Sequence, residues 1–380
     1  MIYLDNAASS WPKPEQVIQA VTDCLRHTGA NPGRGGHKMS LAAGRIVYET
    51  RELVAQLFNI KDPLRVAFTS NATEAINIAL KGLLQPGDHV VTTSMEHNSV
   101  VRPLKVLEKK GIEYTEVTCS REGFLDVGKL TEALKPNTKC IVMTHASNVT
   151  GTLMPVAEVG KIAKEKGITF MVDAAQTAGV YDIDVEKMNI DLLAFPGHKG
   201  LYGPQGTGGL YVREGVDLTT LKEGGTGSNS ESPWHPDIMP DRLESGTLNT
   251  PGLAGLGAGI RFIMDKGLDV IRRHENHLMQ MLIDGLKKID GVILYGPADV
   301  NKQAPVLSFN IEKLGSSEVA FMLDKVFDIA CRSGLHCAPR AHRTMGTLEQ
   351  GTVRLSVSYF NTEKDIEAAV AGIKQIAEEV

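Results

Sequence analysis

The sequence predicts an α/β protein: a large domain on a mostly parallel sheet, followed by a smaller α+β domain. Three observations lead there. Short apolar runs alternate with amphipathic helical stretches between Val66 and Val212. Near residue 250 this texture gives way to two long helical patterns, then to strands and helices without the same alternation. A chain of 380 residues is also too long for one small core, so two domains are expected.

Taken in order, the expected strands of the large domain are Val66–Thr69, His89–Thr93, Tyr114–Val117, Cys140–Thr144, Thr169–Val172, Leu192–Phe195 and Gly209–Val212. Most are apolar along their length, as strands buried on both faces are. Glu74–Leu84, Val100–Lys110, Val127–Leu134 and Val156–Lys166 carry helical periodicity between them. In the second part, Gly252–Gly267 and Leu268–Lys288 read as long helices, Val306–Asn310 and Val353–Ser358 as strands, and Ser317–Val326 and Thr362–Ile376 as helices. The expected division is a large domain over 14–257 and a small domain made of 1–13 and 258–380.

Composition narrows the function classes. A net charge of -5 gives no reason to expect nucleic acid or an anionic membrane surface. No run of about 18 apolar residues is present to span a membrane. Met1 to Asp5 opens directly into strand-like sequence, so no signal peptide is expected. The five cysteines are odd in number and lack CxxC spacing, which fits a reducing cytoplasm better than a disulfide framework. The sequons at Asn71 and Asn148 are then accidental.

Ligands of open parallel sheets bind beyond the carboxyl ends of the strands. Beyond Thr69, "SNATEAIN" puts Ser70, Asn71, Ala72 and Thr73 at a helix start, where free N–H groups can cradle a phosphate or simply form a cap. Beyond Val172, "DAAQ" places Asp173 and Gln176; the aspartate can keep a pyridinium protonated or serve a turn. Beyond Phe195, Lys199 sits in "PGHKGLYGPQGTGG", where a lysine can lose solvation and become a Schiff-base nucleophile. Each signal alone has an ordinary structural explanation. Together, an anion cradle, a carboxylate and a lysine at the strand ends of one sheet are what pyridoxal 5'-phosphate requires. His97 in "SMEHNS" could stack on the ring, and Asn148 in "ASNVTG" could lie near the ring oxygen.

At this point the sequence resembles the class V aminotransferase group of fold-type I pyridoxal-phosphate enzymes, and within it the cysteine desulfurases and selenocysteine lyases. The segments "YLDNAASS", "TSNATEAINIA", "MEHNS", "SNVTGT", "VDAAQ", "GHKGLYGPQGTG", "ESGTLNT", "RSGLHCAP" and "VRLSVSYFNT" match that group in order across nearly the whole chain. The resemblance implies that Lys199 holds the cofactor as a Schiff base, Asp173 faces the pyridine nitrogen, Gln176 faces the phenolic oxygen and His97 lies over the ring. It implies Ala72, Thr73 and His198 at the phosphate. It also implies a homodimer with shared sites, in which Thr247 reaches the partner's phosphate. A sulfur-acceptor protein and a place in sulfur metabolism and iron–sulfur cluster assembly follow from the same resemblance.

Two residues bear on the reaction. Arg354 matches the group's substrate-carboxylate clamp, which suits a bidentate guanidinium, with Asn148 alongside; its ordinary alternative is a surface arginine on an edge strand. Cys337, in a loop beside His336 and near Arg332, resembles the sulfur-accepting cysteine of desulfurases with the shorter active-site loop, and positive neighbours favour its thiolate. The expected reaction is cleavage of the C–S bond of L-cysteine, giving L-alanine and a persulfide on Cys337. Selenocysteine, or another amino acid handled by a class V lyase or epimerase, are the alternatives. A zinc site of Cys331, His336, Cys337 and His342 matches no common spacing, and Cys331 is expected to pack. A dinucleotide-binding oxidoreductase rests only on Gly255, Gly257 and Gly259, which lie in a helical pattern and not between strand and helix. Pro196 stands where relatives commonly offer a hydroxyl to the phosphate, Leu335 where the shorter-loop branch has a histidine, and 339–351 is unlike the best-known members.

Overall fold

In chain order the elements begin with strand β1 (Ile2–Tyr3) and helices α1 (Glu15–His27) and α2 (Lys38–Leu57). The alternating part runs β2 (Val66–Thr69), α3 (Ala72–Leu83), β3 (His89–Thr93), α4 (Asn98–Glu108), β4 (Glu113–Val117), α5 (Val127–Glu132), β5 (Thr138–Thr144), α6 (Val156–Lys166), β6 (Thr169–Asp173), β7 (Leu192–Pro196) and β8 (Gly208–Val212). Then come α7 (Thr250–Lys266), α8 (Leu268–Leu286), β9 (Val292–Tyr295), β10 (Val306–Ile311), α9 (Ser316–Phe327), β11 (Ile329–Ala330), β12 (Arg332–Gly334), α10 (Pro339–Met345), β13 (Thr352–Ser356) and α11 (Glu363–Glu378). This computed structural model describes residues 1–33 and 35–379.

The large sheet has seven strands in the order β2-β8-β7-β6-β5-β3-β4. Only β8 runs antiparallel to its neighbours, so the mostly parallel sheet read from the sequence is correct. Successive side chains of a strand point to opposite faces, and the central strands sort accordingly. Ile141, Met143, Phe170, Val172, Leu193 and Phe195 join one buried cluster. Cys140, Val142, Met171, Leu192 and Ala194 join the cluster on the other face. Apolar side chains on both faces are why these strands read as unbroken hydrophobic runs.

The second sheet is antiparallel, β12-β13-β10-β9, and packs with α8, α9 and α11 around its own core. β1 pairs in parallel with β11, and Asp5 bridges to Ser356, so the first residues lie against this second unit. The expected division at 257 falls inside α7, which continues unbroken to Lys266. Gly255, Gly257 and Gly259 are helical residues of α7 that allow close packing. A Cβ on Gly259 would lie 2.2 Å from the Leu201 carbonyl, and one on Gly257 2.8 Å from Thr50 Oγ1. They form no nucleotide loop. No helix among the described residues is long and apolar enough to cross a membrane.

Candidate active site

A cavity of about 230 Å³ opens beyond the carboxyl ends of β5, β6 and β7, between the two sheets. Its walls bring together Ala72, Thr73, His97, Asn148, Asp173, Gln176, His198, Lys199, Arg332 and Arg354. Cys337 lies beside it, and Thr247 lies in a neighbouring hollow with Ser70, Gly206 and Lys222.

One wall is the start of α3. Asn71 caps the helix, its side chain accepting from Glu74 N–H at 2.9 Å, and Glu74 in turn accepts from Ser70 N–H at 2.6 Å. The cap sits hard against the sheet: a Cβ on Gly208 would come within 2.9 Å of the Asn71 backbone. The small side chain of Ala72 leaves the helix start open to an anion, which the helix dipole favours. Thr73 Oγ1 and Ser99 Oγ are hydrogen-bonded at 2.7 Å. Ser99, which the sequence reading did not single out, also lines the cavity. It follows His97 by two residues, and a hydroxyl at a helix start was the signal available. Pro196 lines the same wall without a hydroxyl.

His97 caps α4, its Nδ1 accepting from Ser99 N–H at 3.0 Å, so the neutral ring carries its proton on Nε2. Burial, and then the positive charges of Lys199, Arg332, Arg102 and Arg354, hold its pKa down to about 4. Asp173 ends β6, 3% exposed, with one oxygen accepting from Ala175 N–H at 2.9 Å. Burial raises its pKa, opposed by that hydrogen bond and by Lys199. Such a carboxyl is poorly compensated by the protein alone and suits a cationic partner in the cavity. Gln176 donates Nε2 to the Ala7 carbonyl at 3.2 Å.

Lys199 sits on the loop between β7 and β8 and faces this cavity. Burial lowers its pKa to about 8, helped by the Arg354 guanidinium and opposed by Asp173. Far more of it is therefore the nucleophilic amine near neutral pH than of an ordinary lysine, and the neutral form predominates above about pH 8. His198 beside it has its pKa lowered to about 4, chiefly by burial, and its Nδ1 is buried without a hydrogen-bond partner.

Arg354 is no edge-strand surface residue. It lies on β13, between β12 and β10, and is 1% exposed. Nη2 bonds Asp5 Oδ1 at 2.8 Å, Nη1 donates to the Asn148 carbonyl at 3.1 Å, and Nε is buried without a partner. Asp5 was part of the "YLDNAASS" segment, but nothing in its spacing to residue 354 could reveal the pairing. Directly across the ladder from Arg354 is Arg332. Like charges opposed across strands are unfavourable, so a pair of guanidiniums at a cavity points to an anionic ligand.

Cys337 occupies a tight turn between β12 and α10. Ala338 N–H bonds the Leu335 carbonyl at 2.8 Å, and the two central residues, His336 and Cys337, have φ of 48° and 57°. Glycine and asparagine favour that left-handed region; other residues carry strain there. The turn is held from three sides. Asn148 Nδ2 donates to the His336 carbonyl at 2.7 Å, Asn98 N–H to the Cys337 carbonyl at 2.8 Å, and the buried His336 ring bonds Thr352 at 3.1 Å. The thiol is exposed, with Arg332 Nη2 at 3.9 Å from Sγ. Cys331 instead packs at the edge of the small core, and burial pushes its thiol up to about 12.

The aminotransferase class-V family matches residues 2–369 of this sequence. The chain belongs to that family. A probable cysteine desulfurase of Methanothermobacter thermautotrophicus is 38% identical over 382 residues, covering 99% of this chain and 94% of the relative. A cysteine desulfurase of Pectobacterium carotovorum is 34% identical, with coverage of 99% and 93%. Among solved structures, the apo cysteine desulfurase of Thermococcus onnurineus superposes with a TM-score of 0.93 at 36% identity, covering 100% of this chain and 95% of that one. CsdA of Escherichia coli, a cysteine desulfurase, gives 0.90 at 28%, with the same coverage.

Class-V aminotransferases of this type use pyridoxal phosphate, and fold-type I architecture is what the sheet order and neighbours display. The residues present fit that cofactor: an open helix start for its phosphate, an under-compensated Asp173 for its pyridinium, and an amine at Lys199 for its aldehyde.

Proposed function

We propose that this chain is a pyridoxal-phosphate-dependent cysteine desulfurase, converting L-cysteine to L-alanine with transfer of the sulfur to Cys337. The observation that carries the reading is the exposed Cys337 thiol, on a turn pinned to the cavity wall with Arg332 beside its sulfur. A family member acting as an epimerase or on another amino acid needs the lysine, the aspartate and the arginine clamp, but not this thiol. The names of the relatives support the same choice.

When bound, pyridoxal phosphate draws electrons from the substrate α-carbon and loosens both the α-proton and the Cβ–S bond. The remaining work falls to side chains. The α3 start with Ala72 and Thr73, together with His198, holds the phosphate, and Asp173 keeps the pyridine nitrogen protonated. Gln176 would face the phenolic oxygen and neutral His97 would stack on the ring. Lys199 Nζ would hold the cofactor through its aldehyde, and as a free amine would take the substrate α-proton. Arg354, with Asn148 at its side, receives the substrate carboxylate. The Cys337 thiolate attacks the substrate sulfur: an S–S bond forms as the Cβ–S bond breaks, and the carbon is protonated to alanine. Selenocysteine offers a C–Se bond in the same place. We take the working unit to be a cytoplasmic homodimer, with Thr247 serving the partner's site and an acceptor protein drawing sulfur from exposed Cys337.

The test is to supply L-cysteine and measure alanine and sulfide, with Cys337→Ser alongside. The variant is expected to bind cofactor and to shift its spectrum on adding cysteine, yet to form almost no alanine without added thiol. Wild-type alanine production by Cys337→Ser would replace the desulfurase reading with the lyase or epimerase one.

A further inference from the structure

The backbone around Lys199 is gripped by a segment that comes from the N-terminus. The His198 carbonyl accepts from Ser10 N–H at 3.0 Å and from Lys13 Nζ at 3.0 Å, with Ser9 Oγ at 3.3 Å. Ser10 Oγ has one proton, and its shorter contact gives that proton to the Lys199 carbonyl at 2.8 Å. The same oxygen accepts from Lys13 Nζ at 2.8 Å. Further back, this strap bonds the other parts of the site. Asp5 holds Arg354, Ala7 N–H donates to Ser356 Oγ at 2.8 Å, and the Ala7 carbonyl accepts from Gln176.

Lys13 is the unusual member. Its two acceptors are a hydroxyl and a carbonyl, not a carboxylate, and burial lowers its pKa to about 8. A long flexible ammonium gains nothing from such a place unless fixing its acceptors matters, since water would solvate it better. Nor is it among the charges that chiefly move the Lys199 amine, which are Arg354, Asp173, Arg332 and Asp5. What Lys13 touches is the peptide from which Lys199 projects.

We propose that Lys13 is a positioning residue for Lys199: held by Ser10, its ammonium clamps the His198 carbonyl and so aims the Lys199 side chain at the cofactor aldehyde. This rests on the reading that Lys199 carries the cofactor.

The experiment follows covalent capture of pyridoxal phosphate by the apo-protein. Its readouts are the rate and wavelength of the visible band, then borohydride fixation and identification of the labelled peptide. Wild type is compared with Lys13→Met, Lys13→Arg and Ser10→Ala, with Lys199→Ala as the blank. Lys13→Met is expected to capture cofactor about tenfold more slowly, within the range for misplaced reacting groups, and to shift the band. Lys13→Arg, which can reach the same carbonyl, is expected to recover most of the rate. A wild-type rate and band in Lys13→Met, or no recovery in Lys13→Arg, would overturn the proposal. If circular dichroism shows Lys13→Met unfolded, Ser10→Ala decides: slower capture supports the clamp, and an unchanged rate refutes it. Labelling of a lysine other than Lys199 in wild type overturns the cofactor assignment and this proposal together. Labelling of Lys199 with an unaffected Lys13→Met overturns the clamp alone.

Discussion

At the level of single residues, the site is a set of charges that the protein leaves incompletely answered. Arg354 is buried with one acid, Asp5, and an idle Nε. A carboxylate bound there gains charge-assisted hydrogen bonds worth about 1.5–3 kcal/mol each. Arg354→Ala is therefore expected to raise KM for cysteine by about 10–100-fold, with a smaller loss of kcat, as steady-state alanine assays would reveal. An unchanged KM would remove Arg354 from the substrate site. Lys199 gives a pH prediction whose sign follows from its neighbours. Its amine pKa is lowered to about 8, so the neutral form grows as pH rises through that value. Capture of pyridoxal phosphate by the apo-protein should accelerate up to about pH 8 and then level off. Arg354 depresses that amine and Asp173 raises it. Arg354→Met should move the midpoint up and Asp173→Asn should move it down. Shifts in the reverse directions would contradict the electrostatic account.

At the level of elements, the turn from Leu335 to Ala338 is the piece on which the proposed chemistry depends. Two non-glycine residues in the left-handed region cost stability, about 1–2 kcal/mol per residue. Cys337→Gly should therefore unfold at a higher temperature than Cys337→Ala by the equivalent of about 1 kcal/mol, although both lack the thiol. The reverse order in thermal melts would mean that the turn is not strained. This turn also marks the limit of what the sequence discloses. Val66 to Val212 was legible because parallel strands buried on both faces are uninterrupted apolar runs, and because each strand end carries its own chemical residue. α1 and α2 were not read, although α1 has a clear apolar face, because they precede the strand–helix alternation and pack on α7, which lies far along the chain. β9 is half-exposed and β12 is three residues long, so neither leaves a pattern. The loop around Cys337 was legible as a loop. Its pinning by Asn98, Asn148 and Thr352 was not, since those contacts join three distant segments.

At the level of the whole molecule, the small sheet brings Arg354 and Cys337 to a cavity whose lysine and aspartate belong to the large sheet. The 223–247 segment, which carries Thr247, leaves Trp234 81% and Ile238 69% exposed. Sedimentation is expected to show a homodimer, and a fully active monomer at assay concentration would contradict the shared-site reading. The claim that unites all three scales is that Cys337 receives the sulfur. Wild-type protein, loaded with pyridoxal phosphate and given L-cysteine without reductant, should be digested and its Cys337 peptide weighed. One added sulfur on that peptide, absent in Lys199→Ala under the same conditions, is the predicted result. Alanine formation with an unmodified Cys337 peptide would contradict it.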